Sequence, residues 1–322
     1  MAATHHAGGQ VLYLLAMMRD LLWKQLRLTA IPDQVDVFRD PFSSLTPGEK
    51  PMIVRILQWA GAGLVSAWLV IGCLAGGLVL GSGLKARAGA PVIAAASTLQ
   101  FALPEIAEAF RAETGLAVTP SFGSSGNFAR QIREGAPFEM FLAADESFVF
   151  DLAKDGLAQD QGAIYAQGRI VLIAPHDAVF EVDPSLDGLA RALSAGQITR
   201  FAIANPEHAP YGMRAQEALE HRGLWQALQR VMVLGENVSQ AAQFATTGNA
   251  DGGIIAYSLA LSPRVGALGR YALIPAEWHA PLNQRMVLLK GAGPVAQAFY
   301  EFMNTPKAIA ILQRYGFVRP EE

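Results

Sequence analysis

The chain has 322 residues, of which 52% are apolar and 16% charged, with a formal charge of −3 and a single cysteine. The charge balance, with no basic run, excludes the electrostatic footprint of a nucleic-acid binder, and one cysteine excludes a disulfide framework. The length accommodates one large or two ordinary domains, but the apolar residues are concentrated near the start.

Residues 1–51 contain "LYLLAMMRDLLWKQLRL", an amphipathic helical pattern, and then a polar, proline-containing linker, "DPFSSLTPGEKP". Such a preface is unusual before an exported domain. It is read as an upstream over-extension of the reading frame or as a poorly ordered cytoplasmic tail. From Ile56 to Leu84, "ILQWAGAGLVSAWLVIGCLAGGLVLGSGL" carries no charged side chain, and about 20 apolar residues cross a bilayer as a helix. Residues 52–88 are therefore expected to form an apolar helix, either a signal peptide or a transmembrane anchor. If translation begins at Met52, "MIVR" is a positive n-region and "KARAGAP" offers small-residue cleavage sites, with Ala88 preferred because Pro91 follows Ala90 directly. The apolar run is longer than the roughly 7 to 15 residues of an ordinary h-region, which keeps an uncleaved span open. "VIGC" at Cys73 looks like a lipid-attachment box, but "LAGGLVLG" stays apolar where a polar tether belongs, favouring an ordinary cysteine in an apolar helix. Each reading carries the remainder out of the cytoplasm, where it must be held by its core alone.

From Pro91 the pattern becomes short apolar runs separated by helices. "PVIAAA" reads as a buried strand and "PEIAEAFRAETG" as an amphipathic helix ending on Gly115. "LAVTPSF", a short helix from about Asn127, and "EMFLAA" follow. A second set comprises "RIVLIA", "RFAIAN", a helix from about Gly212, "VMVLG", a helix after Asn237, and "GGIIAY". "MVLLK" and two helices, "PVAQAFYEFMN" and "PKAIAILQRYG", close the chain. Alternation at this spacing predicts an α/β fold of mostly parallel sheets with flanking helices, in two lobes.

In open parallel sheets the ligand lies beyond the carboxyl ends of the strands. Those positions are Ser97 and Thr98, Gly123 to Gly126, "PEHAPYG" after Asn205, and "ENVSQ" before the helix near Val238. They offer hydroxyls and backbone N–H groups at helix starts and almost no formal charge, which is the chemistry of an anion site. Ser124 and Ser125 bring hydroxyl donors, while Gly123 and Gly126 let the backbone come close. A neutral set of donors suits a fully deprotonated oxyanion. The competing structural reading makes Ser97 and Ser125 ordinary N-caps, worth about 1 kcal/mol each.

Catalytic chemistry has less support. The serines are not in a G-x-S-x-G elbow. No H-x-x-x-H or C-x-x-C spacing for a metal occurs, and no Gly-Lys-Ser/Thr of a phosphate loop. His208 and His279 read as loop or surface residues, and Asp145 with Glu146 as the cap and first turn of a helix. The chain is not expected to be an enzyme.

Taken in order, "AAAST", "SFGSSGNFARQIREGAPFEMFLAADE", "NPEHAPYGMRAQEAL", "GENVSQAAQFATTGNADGGIIA" and "FYEFMNTPKAIAILQRYGF" closely resemble the periplasmic molybdate-binding proteins of ABC transporters, over Pro91 to Val318. The resemblance implies a type II periplasmic binding fold over residues 89–322. Its first lobe would be 91–174 plus 275–322 and its second 175–274, with two crossing strands as hinge. It implies molybdate or tungstate as ligand, with the molybdenum bound as an oxyanion, no cofactor and no bare metal cation. A membrane permease and its ATPase would be partners of a periplasmic monomer, tethered to the membrane if 56–84 is retained. The family pattern points to Ser97, Ser125, the amide of Tyr211 and the amide of Val238, with Thr98 as an added donor. Many members donate a further hydroxyl from a tyrosine in "G-I-V-Y"; that position here is Ala256, and Tyr257 should face the other way by strand alternation. Tyr211 is the expected replacement donor. The alternatives are a sulfate or phosphate binder and a membrane-tethered oxyanion sensor.

Overall fold

In the computed structural model the described residues are 89–319, within one compact unit, Lys85–Glu322. Among them no helix is long and apolar enough to cross a membrane. The apolar helix expected at 56–84 and the 1–51 extension lie outside the described residues.

Two five-stranded sheets organise the chain. The first takes β1 (Val92–Ala96), β2 (Thr119–Gly123), β3 (Phe138–Ala143), β4 (Ala163–Gly168) and, from far along the chain, β10 (Leu282–Leu288), in the order β2-β1-β3-β10-β4. The second takes β5 (Ile170–Pro175), β6 (Phe201–Ala204), β7 (Met232–Gly235), β8 (Gly252–Ala256) and β9 (Gly269–Leu273), in the order β7-β6-β8-β5-β9. The helices are α1 (Ala102–Thr114), α2 (Ser125–Arg133), α3 (Glu146–Lys154), α4 (Asp187–Ser194), α5 (Pro210–His221), α6 (Val238–Thr246), α7 (Pro294–Phe302) and α8 (Pro306–Arg314), with shorter single turns between.

Both sheets are mixed, which refines the expectation of mostly parallel sheets. In the first, β1 to β4 share a direction and β10 opposes its neighbours β3 and β4. In the second, β5 opposes β8 and β9 while β6, β7 and β8 run together. The reversed strand is in each case the one that enters from the other lobe. The chain leaves the first lobe at the carboxyl end of β4, so it enters the second beside the carboxyl ends of that lobe's strands and must run against them. The same holds for β10 on the way back. The first crossing therefore falls at Arg169, between β4 and β5, and not after residue 174 as expected. Residues 170–174 pair with β8 and β9 and belong to the second lobe.

Period-two alternation sorts the first sheet's side chains between its faces. Ile93 and Ala95, Met140 and Leu142, and Met286 pack with α1, α7 and α8 through Phe110, Phe299 and Leu312. Ala94, Phe141, Ala143 and Val287 pack with α2 and α3 through Phe128, Val149 and Leu152. The second lobe has one continuous core, to which Ala96 and Ala144 of the first lobe also belong. α1 stops at Gly115, which takes a left-handed φ of 71° and returns its N–H to the Arg111 carbonyl at 2.9 Å, as the sequence implied.

Candidate functional site

Every strand-end loop singled out above meets the others at one point between the lobes. A small cavity of about 10 Å³ is lined by Ala96, Ser97 and Thr98 after β1, by Gly123, Ser124 and Ser125 after β2, and by Ala144 after β3. From the second lobe come Ala209, Pro210 and Tyr211 after β6 and Val238 after β7. Ser97, Thr98, Ser125, Tyr211 and Val238 are thus brought together, each with 4% exposure or less. No lining side chain carries a formal charge at neutral pH; burial pushes the Tyr211 phenol well above its ordinary pKa. A larger groove of about 630 Å³ lies beside the cage, between Phe101 and Phe122 of one lobe and Gln240, Gln243 and Arg264 of the other. It is open to solvent.

Local structure frees the serine hydroxyls. Ser97 opens a single 3-10 turn, Ser97–Leu99, whose N-cap is Ala96. The N-cap of α2 is Ser124, in extended backbone with its Oγ accepting from the Asn127 N–H at 3.4 Å. Neither Ser97 nor Ser125 is therefore the N-cap that the structural reading made of it; which of two adjacent serines caps is set by a single φ/ψ pair. The Ser125 Oγ accepts from the Ala144 N–H at 2.9 Å, so its own proton remains available to the cavity. α2 starts earlier than the expected Asn127, and α5 earlier than Gly212. Pro210 opens α5, where its missing N–H costs nothing. Asn237 caps α6 through the N–H groups of Ser239 and Gln240. That leaves Val238 N–H, like Tyr211 N–H in the first turn of α5, without an acceptor among the described residues.

Other contacts hold the lobes together around the cage. Gly126 N–H donates to the His208 carbonyl at 2.9 Å, and a Cβ on Gly126 would meet that oxygen at 2.7 Å, so the approach requires glycine. The Ser239 hydroxyl donates to the Ser97 carbonyl at 2.9 Å. His208 Nδ1 lies 2.9 Å from the Ser124 Oγ, and Asn127 bonds Glu236. His208 is accordingly an interlobe contact with its side chain 19% exposed; it lies in a loop, as expected, and is not a surface residue. Arg214 donates to Asp145 Oδ2 at 2.6 Å, both side chains being 11% exposed. Asp145 also caps α3 as expected.

Three contributors were not legible. Ser258, just past β8, places its Oγ 2.7 Å from Thr98 Oγ1. Gln284 on β10, fully buried, donates from Nε2 to the Tyr211 hydroxyl at 2.8 Å. Tyr165 on β4 donates to Gln284 Oε1 at 2.7 Å. Ser258 lies two residues past the carboxyl end of β8, as the other cage residues lie just past theirs. Gln284 lies between Asn283 and Arg285 in the sequence, so nothing local marks it as the buried one of the three. Tyr257 packs against Tyr271, ring centroids 6.0 Å apart, and does not line the cavity.

Two lobes joined by two crossing segments and closed over a cage of neutral hydrogen-bond donors define a binding protein for a small solute. The chain belongs to the family of bacterial extracellular solute-binding proteins, which matches residues 91–318. It is 36% identical over 250 residues to the molybdate-binding protein ModA of Rhodobacter capsulatus, covering 77% of this chain and 95% of that protein. The ModA of Escherichia coli (strain K12) is 32% identical over 242 residues, 74% of this chain and 92% of the relative. Among solved structures, the periplasmic molybdate-binding protein of Azotobacter vinelandii superposes with a TM-score of 0.65 at 31% identity, covering 72% of this chain and all of that one.

Proposed function

We propose that this protein captures molybdate, and tungstate equally by size and charge, in the cage between its lobes and delivers it in the periplasm to the permease of an ABC importer. The observation that carries this reading is the cage itself: eleven lining residues from both lobes, none charged, several presenting donors. A site for a protonated anion needs an acceptor to receive that proton, and the cage supplies no carboxylate. Ser97 and Ser125 would donate hydroxyls from the first lobe, with Thr98 donating to the Tyr211 oxygen at 3.3 Å, and the Tyr211 and Val238 amides would donate from the second. Tyr211 would add its phenol, in place of the tyrosine that Ala256 lacks. The molybdenum is held through its oxygens, and no bond is made or broken. Among the described residues no cluster of histidine, cysteine or carboxylate side chains could hold a bare metal ion, and the reading requires none. The relatives named for molybdate support the choice of solute.

Titration calorimetry of the purified full-length protein against molybdate, tungstate, sulfate and phosphate tests this. Tight binding of the first two with much weaker binding of the others is expected, since sulfate is the smaller tetrahedron and phosphate retains a proton at neutral pH. Preference for sulfate or phosphate would overturn the assignment.

A further inference from the structure

A chain of buried hydrogen bonds runs from the back of the first lobe to the cage. Tyr165 donates to Gln284 Oε1 at 2.7 Å and Gln284 Nε2 donates to the Tyr211 oxygen at 2.8 Å. From the other side Ser258 Oγ lies 2.7 Å from Thr98 Oγ1, and Thr98 Oγ1 donates to the Tyr211 oxygen at 3.3 Å. Each of these five residues is at most 6% exposed. The β4–β10 register shifts between Gln284 and Arg285, an irregularity of the kind that re-aims a side chain. Here the Gln284 amide lies between two phenols.

The shorter contact at each hydroxyl sets a polarity. A phenol oxygen has two acceptor positions and one proton. With Ser258 donating to Thr98 Oγ1 at 2.7 Å in preference to the Thr98 carbonyl at 3.0 Å, Thr98 donates to Tyr211; both acceptor positions of Tyr211 are then taken, by Gln284 and by Thr98, and the phenol acts outward as a donor. Tyr165 favours this orientation of the Gln284 amide by donating to Oε1 at 2.7 Å, the shorter contact, in preference to the Ala143 carbonyl at 3.3 Å. Were the amide reversed, Oε1 would accept the Tyr211 proton and the cage would lose a donor.

We propose that Gln284 and Tyr165 are positioning residues that set the Tyr211 hydroxyl as a donor to the bound oxyanion, without touching the anion themselves. This rests on the reading of the cage as an oxyanion site. It explains a fully buried glutamine between the half-buried Asn283 and Arg285, and it makes affinity depend on Tyr165, which does not line the cavity. Gln284→Glu keeps the shape of the side chain and reverses its polarity, because a carboxylate accepts from both phenols.

The test is a double-mutant cycle in binding. Dissociation constants are measured by calorimetry for Tyr165→Phe, Gln284→Glu and Tyr211→Phe, and for the first two in the Tyr211→Phe background, with melting temperatures as the control for folding. The probe is whichever of molybdate, tungstate or sulfate the full-length parent protein binds, so a wrong choice of solute is seen in the parent and the coupling is still measured. Tyr165→Phe should weaken binding about fivefold, the worth of one ordinary hydrogen bond, when Tyr211 is present, and by less than about twofold when it is absent. Gln284→Glu should show the same pattern with a larger loss; if that buried carboxylate prevents folding, Tyr165→Phe, which only removes a hydroxyl, carries the test. Equal losses in both backgrounds would show that Tyr165 and Gln284 act merely through stability and would overturn the proposal, as would a parent protein that binds no tetrahedral oxyanion.

Discussion

Ser125→Ala separates the role of this serine from that of its neighbour. The Ser125 hydroxyl accepts from Ala144 N–H at 2.9 Å and is 1% exposed, and Ser125 lines the cavity. On the proposed reading, removing it deletes a hydrogen bond to an anionic ligand, worth about 1.5 to 3 kcal/mol, or roughly 10- to 150-fold in Kd. It also leaves a buried N–H without its acceptor. That costs the unliganded protein about 1 to 3 kcal/mol, at roughly 2 to 4 °C per kcal/mol for a domain of this size. Because Ala144 also lines the cavity, its freed N–H can turn to the ligand and recover part of the affinity, so the lower half of the binding range is expected. Ser124→Ala instead removes the N-cap of α2 and the contact with His208. It should cost about 1 kcal/mol of stability with at most about a fivefold loss of affinity. Calorimetry and thermal unfolding of both variants give a two-by-two comparison. Unchanged affinity in Ser125→Ala together with a large loss in Ser124→Ala would show that the two serines have been assigned the wrong way round.

Gly168→Ala places a methyl group on the Tyr211 hydroxyl oxygen and 2.7 Å from Gln284 Nε2; displacing the phenol forfeits two hydrogen bonds of about 1 kcal/mol each, so affinity should fall by about tenfold or more, and a variant that binds like the parent would show that the phenol contributes nothing. His279 has its pKa lowered, chiefly by burial, with the cations of Arg214 and Arg169 adding to the effect and Ala280 and Glu217 opposing it. The unfolded chain, where histidine titrates at its ordinary value, then binds more protons than the folded one between the lowered pKa and about 6.5, so stability rises with pH across that interval and is lost on acidification. Melting temperatures followed from pH 7.5 down to about 5.5 should therefore fall less for His279→Gln than for the parent, and parallel curves would refute the assignment.

The parts of the site that the sequence shows are those built by local chemistry. Hydroxyls and glycines at strand ends, and Asp145 and Asn237 ahead of helices, are consequences of backbone groups within a few residues. What the sequence conceals depends on distant partners. The reversed direction of β5 and β10 follows from chain crossings, and "RIVLIA" is equally apolar whichever lobe it joins, which is why the crossing was expected five residues too late. Ser258, Gln284 and His208 acquire their roles only when the lobes close, across separations of 160, 73 and 84 residues to Thr98, Tyr211 and Ser124. No local pattern records such pairings.

Closure and binding are coupled by the placement of the helices. α2 begins at the cavity from the first lobe, and α5 and α6 begin there from the second. A helix N-terminus carries about half a positive charge, so closing the lobes brings like partial charges together in a site shielded from water, where their repulsion is strengthened. The Gly126–His208, Ser239–Ser97 and Arg214–Asp145 bonds oppose that repulsion. The proposed dianion, placed between the helix ends, would convert repulsion into attraction on all three axes at once. Its free energy of binding is therefore greater in the closed form than in the open one, and that difference is what a ligand needs in order to shift the population toward closure. A cage lined with arginines would bind an anion to either lobe alone and weaken this dependence. On the proposed reading, neutral donors divided between two lobes would make the closed form the high-affinity one.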